Sequence, residues 1–537
     1  MKRPLGWIGL TYLSALAVIF YCYSTFLVIT LAVSAAVLAI AGVIIRFIKR
    51  NTKLHQYTLV VGLSVLAALL SIFLYQNYIV SPVIDDYSNK EIYIEGYICD
   101  ELNYSGKHPT CILQTDRING EERSVRITLT LRNKKRKLEP FDCISLSIKT
   151  KSSSYPYQFS RRVYLFGTEQ DTSNLTVSGE KRKTPYYYAV ELRRAVKDEF
   201  DEALDENAAS ISKAVLLGDK RALGNDLKDA FTFTGTSYLI VVSGMHLALF
   251  TLLFRKFFWR VNLNRWITLV LLTVIIVAFA AVTGFTPSVM RAGLMLFIIL
   301  LGNAVLRDPD GVNSLGIAAL VLAVPNPFIV GDVGLLLSFS ATFGILLWAD
   351  RINKFMLEKC RLSDSNAPKK LSIWQRIKQL PKTLLRFIIG MISVSLAATL
   401  WVMPVSVLFF GTVSPLTAFI SLVAYPLVSA ILILSMLLAV LYAAVFLRFI
   451  TVPIAAVIDF LSRCLSDFIL LCAKIPFAQL PMNDISCYIW LAVTALLVII
   501  GYAFRPPKAY IACAVMISSL TLTIGWAVSA LLEANHI

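Results

Sequence analysis

The chain has 537 residues, of which 57% are hydrophobic and 16% are charged, and its formal net charge is +17. This composition excludes a soluble globular protein, which would need far more polar surface at this length, and predicts a polytopic membrane protein. The positive charge does not by itself indicate a nucleic-acid partner, because membrane proteins concentrate Lys and Arg in cytoplasmic loops. The segment 351–386 is such a stretch, with ten basic residues.

Apolar runs divide the chain into about thirteen predicted membrane spans and one large polar segment, 81–236. The apolar N-terminus continues almost unbroken to residue 45, so we interpret it as two membrane helices and not as a signal peptide. The predicted spans are 5–21, 25–45, 57–80, 237–254, 266–283, 287–305, 313–325, 328–349, 385–410, 415–445, 451–475, 486–504 and 510–532.

The basic residues that flank these spans predict which ends face the cytoplasm. On this reading the polar segment 81–236 and the C-terminus lie outside. The run 451–475 is the least clear span because four charged residues interrupt it, but a full crossing keeps the basic stretch 505–508 in the cytoplasm. The residues assigned to the cytoplasm are Lys2, Arg3, Arg46–Lys53, Arg255–Arg265, Arg307, 351–386, Arg448 and Arg505–Lys508.

Four domains follow from these patterns. Residues 1–80 form N-terminal transmembrane helices, and residues 81–185 form an extracytoplasmic β domain of OB-fold type. Residues 186–236 form amphipathic helices that lead to the membrane, and residues 237–533 form a second transmembrane domain, which the family resemblance described below implies to be a competence-type channel domain. The β domain is predicted because alternating or apolar runs separated by turn residues indicate short strands, and five such strands suit a small barrel. The predicted strands are 91–99, 110–118, 124–132, 143–151 and 174–183.

Three of the nine cysteines lie in the polar segment. Cys99 ends one predicted strand and Cys111 begins the next, and an oxidising compartment permits a disulfide between them. Cys143 is a competing partner. The chain has no C-x-x-C pair and four histidines, so neither a zinc site nor another cofactor is expected.

Motifs for catalysis or for nucleotide hydrolysis are absent from the sequence. There is no P-loop, no H-E-x-x-H and no G-x-S-x-G. Ser243 and His246 share a helix face, but no acidic residue lies nearby in sequence to orient the histidine. We therefore expect no catalytic residue and no enzymatic activity.

Polar residues and helix breakers interrupt several predicted spans. Such interruptions are tolerated where the backbone lines a water-filled cavity or is buried in protein, which is what a conduit needs. Other roles exist: the glycines would permit close helix packing, Arg291 would reach the headgroups, and Asp310 and Asn313 would cap a helix. The candidate channel residues are Ser243, Gly244, His246, Thr283, Gly284, Pro287, Arg291, Asp310, Asn313, Ser338 and Phe339.

A basic cluster, “RNKKRK” (132–137), lies in a predicted outer loop of the β domain. It would attract phosphates, and nearby tyrosines (Tyr93, Tyr97 and Tyr104) would stack on bases. A solvated hairpin tip, or a contact with anionic lipid, is the alternative. The predicted DNA-binding residues are Arg132, Lys134, Lys135, Arg136 and Lys137.

The segment “FTFTGTSYLIVVSGMHLALF” (231–250) resembles the signature TGT-x-H-L-L-A-[IV]-S-G-L-H of the ComEC family of competence proteins. The resemblance continues in order through several other blocks. Two positions depart from the family pattern, since Tyr238 stands where His is usual and Ser421 where Asn is common. The family's Q-L-S-F is also replaced by Leu336–Phe339 here. The further matching blocks are 155–167, 214–223, 283–295, 310–320, 335–344 and 395–417.

The resemblance implies a channel in the bacterial inner membrane that passes single-stranded DNA into the cytoplasm during natural transformation. It also implies an OB-like outer domain, an envelope DNA receptor and a cytoplasmic DNA translocase as partners. Many family members carry a metallo-β-lactamase-like domain after the last span. This sequence ends at Ile537 without one, so we expect a separate nuclease. The alternatives are a membrane nuclease that acts through the outer domain and a transporter of a polysaccharide or small metabolite.

Overall fold

The structure is a computed structural model that describes most of the chain up to residue 481. It is mostly helical and contains one small sheet domain. The described residues are 3–22, 25–48, 53–104, 108–132, 138–153, 155–170, 175–360, 362, 373–414, 416–442, 448–475 and 480–481. The predicted spans 486–504 and 510–532 lie outside this set.

The helices comprise long apolar elements and shorter polar ones. Within the described ranges they are α1 Pro4–Tyr21, α2 Thr25–Ile48, α3 Lys53–Tyr75, α4 Ser81–Tyr87, α5 Pro156–Ser160, α6 Pro185–Ala203, α7 Glu206–Ser212, α8 Asn225–Phe233, α9 Gly244–Arg260, α10 Arg265–Val282, α11 Pro287–Ala304, α12 Gly311–Ala323, α13 Val333–Gly344, α14 Asp350–Lys359, α15 Ile373–Phe410, α16 Thr417–Tyr442 and α17 Arg448–Ala473. Proline at the first or second position begins α1, α4, α5 and α11, where the missing N–H costs nothing.

Nine helices in the described part of the chain are long and apolar enough to cross a membrane. They confirm the multi-pass membrane character predicted from composition. Two predicted spans do not meet that criterion. The span 313–325 is realised as α12, whose 13 residues are too short for a hydrocarbon core of about 30 Å. The span 451–475 is realised as α17, whose charged residues include Asp459, Arg463 and Asp467.

The sheet domain contains the five predicted strands and two more. Its strands are β1 Glu91–Ile98, β2 Thr110–Ile118, β3 Glu121–Glu122, β4 Arg126–Thr130, β5 Asp142–Ser152, β6 Val163–Glu169 and β7 Thr176–Lys181; β8 Thr412–Val413 and β9 Leu480–Pro481 pair elsewhere. Sequence analysis missed β6 because Val163, Tyr164 and Leu165 are all buried, so this strand lacks the alternation that marks a half-exposed strand.

The strand pairings form a closed circuit through β1, β2, β4, β6 and β5. β1 pairs antiparallel with both β2 and β5. β2 pairs with β4, β4 pairs parallel with β6, and β6 pairs with β5. Alternation along β1 and β5 directs one side chain in two to a common apolar core, which includes Ile94, Leu113, Ile127, Leu146 and Leu165.

Two compact units make up the chain. One comprises Met1–Val196 with Leu247–Leu335, and the other comprises Lys197–His246 with Leu336–Ile537.

In the first unit, the sheet domain is fixed to the loop between α12 and α13. Asn326 donates a hydrogen bond from Nδ2 to the Ser160 carbonyl at 2.8 Å, and Arg162 donates to the Pro325 carbonyl at 3.1 Å. The buried hydroxyls of Tyr75, at the end of α3, and Tyr164, in β6, lie 2.9 Å apart. These contacts join the sheet domain to membrane helices of the same unit through more than its flanking chain.

In the second unit, α16 and α17 pack against each other and against the polar helix α7. Tyr442 donates a hydrogen bond to Glu202, and the guanidinium of Arg448 lies 4.5 Å from the centre of the Tyr442 ring. Further along α17, Arg463 forms an ion pair with Asp205.

These contacts contradict the predicted sidedness of the chain. The flanking charges assign Glu202 to the outside and Arg448 to the cytoplasm, yet both residues meet Tyr442 at one end of α16. A bilayer cannot separate residues that share a contact, so the charge-based assignment is wrong for one of them. The positive-inside rule counts a basic residue without regard to its partners, and Arg448 has an aromatic and an acidic neighbour here.

Candidate functional site

The 234–246 segment, in the second unit, begins where α8 ends. Thr234 and Thr236 are fully buried, and their hydroxyls lie 2.7 Å apart. Between them Gly235 has φ +67°, a left-handed conformation that a side chain would strain. A Cβ at this position would also stand 2.3 Å from Oγ1 of Thr417. Both the turn and the close approach therefore require glycine here.

Hydroxyl groups at the start of α16 form hydrogen bonds with this turn. Thr417 donates from Oγ1 to the Thr234 carbonyl at 3.2 Å, and Ser414 donates to the Phe233 carbonyl at 3.0 Å. The hydroxyls of Tyr238 and Ser421 lie 2.7 Å apart. Tyr238 and Ser421 are two of the positions that depart from the pattern described under Sequence analysis, and they are partners. We call Thr234, Thr236, Tyr238, Ser414, Thr417 and Ser421 the hydroxyl cluster.

His246 is fully buried near the beginning of α9. The backbone N–H of Ser243 donates to its Nδ1 at 3.1 Å. Because Nδ1 accepts, the neutral imidazole carries its proton on Nε2 and presents a donor there. Nε2 has no hydrogen-bond partner among the described residues. A buried donor in this state is available to an acceptor that the described residues do not provide.

This contact is a cap on a helix N-terminus and not a nucleophile–base pair, because Ser243 participates through its backbone and not through its hydroxyl. It satisfies one of the backbone N–H groups that α9 leaves without an intrahelical partner. The sequence motif S-G-x-H thus places a neutral imidazole at a defined tautomer inside the unit.

The predicted residues 283–291 lie in the first unit. Thr283 is buried and donates within α10 to the Phe279 carbonyl at 2.9 Å. Gly284 has φ +76°, and Pro287 is the first residue of α11. Arg291 is only 8% exposed, and its Nη1 lies 3.8 Å from Sδ of Met295. Its side chain is therefore enclosed by protein.

Asp310 and Asn313 have the capping role that the sequence offered as an alternative. Asp310 precedes α12 and accepts from the Asn313 N–H at 2.9 Å, and it forms an ion pair with Arg3 at 2.7 Å. Asn313 accepts from the Gly6 N–H at 3.0 Å. Both side chains fasten α1 to α12, a long-range role that their local sequence does not reveal.

Ser338 and Phe339 lie on α13. Phe339 is buried, and Ser338 is half-buried with its carbonyl accepting from the Thr342 hydroxyl at 2.9 Å. Of the glycines assigned to packing, Gly344 would bring a Cβ within 2.6 Å of the Ala397 carbonyl oxygen on α15. Close helix packing accounts for this glycine.

The predicted DNA-binding loop is only partly described, since Lys134, Lys135, Arg136 and Lys137 lie outside the described residues. Arg132, at the start of this loop, is held by two hydrogen bonds. Its backbone N–H donates to the Glu169 carboxylate at 2.8 Å, and its Nη1 donates to the Gln170 carbonyl at 2.9 Å. The carboxylate of Glu169 is buried, so it fixes where the loop leaves the sheet.

A groove of about 710 Å³ lies on the outer face of the sheet domain. Three arginines and three acids line it, so its formal charge is balanced. The Tyr93 side chain is exposed. The Tyr97 ring instead stacks on the Phe141 ring, with 6.4 Å between ring centroids, and its centroid lies 5.2 Å from Cζ of Arg182. Tyr93 is therefore better placed than Tyr97 to stack on a base. The charged lining residues are Glu95, Asp116, Arg117, Glu122, Arg123 and Arg182.

The structure does not contain the predicted disulfide, because Cys99 and Cys111 are free thiols. The Cys99 N–H donates to the Ile112 carbonyl, which puts Cys99 opposite Ile112 and leaves Cys111 facing the core. Burial raises the pKa of Cys99 to about 11 and that of Cys111 to about 12. Both groups are therefore protonated at neutral pH.

The fold and the site define a class: a multi-pass membrane protein with a small sheet domain and a hydroxyl-rich polar segment between its membrane helices. Residues 215–507, more than half of the chain, match the competence protein family, and the chain belongs to that family.

Two further comparisons bear on this assignment. The chain is 26% identical over 161 residues to ComE operon protein 3 of Bacillus subtilis (strain 168). The match covers 30% of this chain and 21% of the relative, so it spans about a fifth of the relative's length. No solved structure matches the chain.

Proposed function

We propose that this protein is a channel that passes single-stranded DNA across the bacterial inner membrane into the cytoplasm during natural transformation. The observation that carries the proposal is the buried donor at Nε2 of His246, in a segment that belongs to the competence family match. A neutral donor forms hydrogen bonds that a sliding polyanion breaks easily. A row of fixed cations would hold phosphates too strongly for transit.

The hydroxyl cluster supports the same function. Its members are neutral, and each can both donate and accept. Most of them are already paired with backbone carbonyls or with each other, so they hold the polar turn together at membrane depth. We assign them to the wall that supports His246, and we assign contact with the strand to the imidazole.

The sheet domain would receive the strand on the outer side. Its closed circuit of five pairings, with β4 and β6 parallel, supports an OB-type barrel, a fold that binds oligonucleotides. The exposed ring of Tyr93 and the loop that starts at Arg132 would supply stacking and phosphate attraction. The balanced charge of the groove suits bases better than it suits phosphates.

The sequence contains no P-loop, so we assign the driving force to a cytoplasmic DNA translocase. An envelope receptor would deliver the DNA, and a separate nuclease would supply one strand from the duplex. The lipid bilayer is the remaining partner.

Deletion of the gene, followed by tracking of fluorescent double-stranded DNA and counting of transformants, tests this proposal. We expect DNA to enter the envelope and not the cytoplasm, and transformants to disappear until the wild-type gene is restored. Undiminished transformation would contradict the channel and favour a transporter of another substrate. Loss of uptake into the envelope would instead indicate an earlier role in DNA capture.

A further inference from the structure

Arg193, on α6, is a buried cation outside the motifs discussed above. It is 7% exposed. A charge that leaves water is destabilising unless it is paired and hydrogen-bonded. Burial by itself lowers the pKa of Arg193, but Asp100 and Tyr186 outweigh burial and raise it. The guanidinium is therefore charged, and its partners show what it holds.

Those partners come from three parts of the first unit. Nη1 lies 3.3 Å from Oδ1 of Asp100, in the sheet domain just after β1. Nη2 donates to the hydroxyl of Tyr186, on α6 itself, at 3.3 Å. Nε donates to the Val282 carbonyl at 2.5 Å, and Nη2 also donates to the Ala281 carbonyl at 3.5 Å.

The two carbonyls are the last of α10, at the negative end of the helix dipole, and the Ala281 carbonyl also accepts from the Gly284 N–H. A guanidinium group complements both features, because it donates hydrogen bonds to the carbonyls and carries a positive charge. The next residues form the tight turn 283–286 that leads into α11 and Arg291. Gly284 fits this arrangement, since a Cβ there would stand 3.2 Å from Nη2 of Arg193 and its φ is +76°. The ring of Phe285 packs at 5.8 Å against Tyr186.

We propose that Arg193 is a positioning residue that fixes the turn 283–286, and with it the start of α11, to the sheet domain. The functional consequence of this inference rests on the proposed function. A DNA strand bound by the sheet domain would meet the candidate channel residues Thr283, Gly284 and Pro287 at a fixed place. The fork of N–H donors is essential, because a lysine ammonium cannot reach an acid, a tyrosine and two carbonyls in the same geometry.

Amide hydrogen exchange on the purified full-length protein tests the positioning directly. The reporters are the N–H groups of Gly284 and Phe285, which donate to the carbonyls of Ala281 and Ala280. We expect Arg193→Gln to accelerate their exchange at least tenfold and Arg193→Lys to give an intermediate effect. Arg194→Gln is the matched control, since the neighbouring Arg194 pairs only with Glu139 and Glu191 in the described chain. Unchanged exchange in Arg193→Gln would overturn the inference.

The second readout is DNA entry in cells at equal protein abundance. We expect Arg193→Gln to leave envelope uptake unchanged and to reduce cytoplasmic entry at least tenfold, with partial recovery in Arg193→Lys. Should Arg193→Gln fail to accumulate, Gly284→Ala provides the test, because alanine is strained at φ +76° and its Cβ would stand 3.2 Å from Nη2 of Arg193, which disturbs the contact between the turn and the guanidinium without removing Arg193. Normal entry with a loosened turn would overturn the functional part. Suppose instead that Arg193→Gln accelerates exchange in the purified protein, but that deletion of the gene leaves transformation in the host undiminished. This pair of results would refute the proposed function and leave the positioning role of Arg193 intact.

Discussion

Gly9 of α1 and Gly316 of α12 meet backbone to backbone, so closely that a Cβ on Gly9 would stand 2.0 Å from the Gly316 carbonyl oxygen. Since backbone atoms cannot move aside as a flexible side chain can, the two helices would have to separate. The ion pair Arg3–Asp310 and the Gly6–Asn313 hydrogen bond lie along the same contact. The N-terminal helix is therefore an integral part of its unit.

Gly9→Ala should destabilise the protein by at least about 1–3 kcal/mol, the usual cost of overpacking a tight site. The measurement is the melting temperature in detergent together with abundance in the membrane. Gly390→Ala is the control, because a Cβ at Gly390 meets no atom within 4 Å. Equal melting temperatures for the two variants would show that α1 and α12 do not pack as described.

The Tyr238–Ser421 pair predicts a compensating exchange. Tyr238→His shortens one side chain, and Ser421→Asn lengthens the other, so each single change should lose the hydrogen bond and cost about 1 kcal/mol. The double variant should restore it, because the family pattern has His and Asn at these positions. A double-mutant cycle should therefore give a coupling energy above about 0.5 kcal/mol. Additive effects would mean that the two residues do not depend on each other, and Tyr188→His, at an exposed tyrosine, is the control.

The contacts of Tyr442 with Glu202 and with Arg448 predict that these two charged residues lie on one side of the membrane. Arg448→Cys and Glu202→Cys, each in a background without other cysteines, should respond alike to a membrane-impermeant maleimide in intact cells. Labelling after lysis supplies the reference for each variant. Opposite responses would restore the charge-based topology and contradict the packing of α16.

The thiols of Cys99 and Cys111 should react slowly in the native protein. Their pKa values of about 11 and 12 leave little thiolate near pH 8, so alkylation of Cys99 should accelerate about tenfold for each pH unit below 11. Mass spectrometry follows the reaction, with the exposed Cys360 as the internal reference. If both sites become reactive only after reduction, the disulfide that the sequence suggested forms and the free-thiol structure is incorrect at this point.

The features that the sequence predicted well depend on local patterns. Hydropathy marked the nine helices of the described residues that are long and apolar enough to cross a membrane, and alternation marked β1, β2 and β5, because both signals repeat within one element. The features that it missed depend on residues far apart in the chain. Arg193 looks like one more charge on an amphipathic helix, and Asp310 looks like a simple cap, until folding brings Val282 and Arg3 beside them. The charge count placed Glu202 and Arg448 on opposite sides of the membrane for the same reason, since it contains no information on their shared partner Tyr442.

The most direct test of the central claim separates the two nitrogens of His246. His246→Asn keeps an acceptor near the Nδ1 position for the Ser243 N–H and removes the donor at Nε2, whereas His246→Gln keeps a donor near Nε2. The measurement is cytoplasmic entry of labelled DNA at equal protein abundance, with His55→Gln as a control histidine on α3. The channel account predicts that His246→Asn abolishes entry while envelope uptake persists, that His246→Gln retains part of it, and that His55→Gln has no effect. Normal entry in His246→Asn would contradict the account.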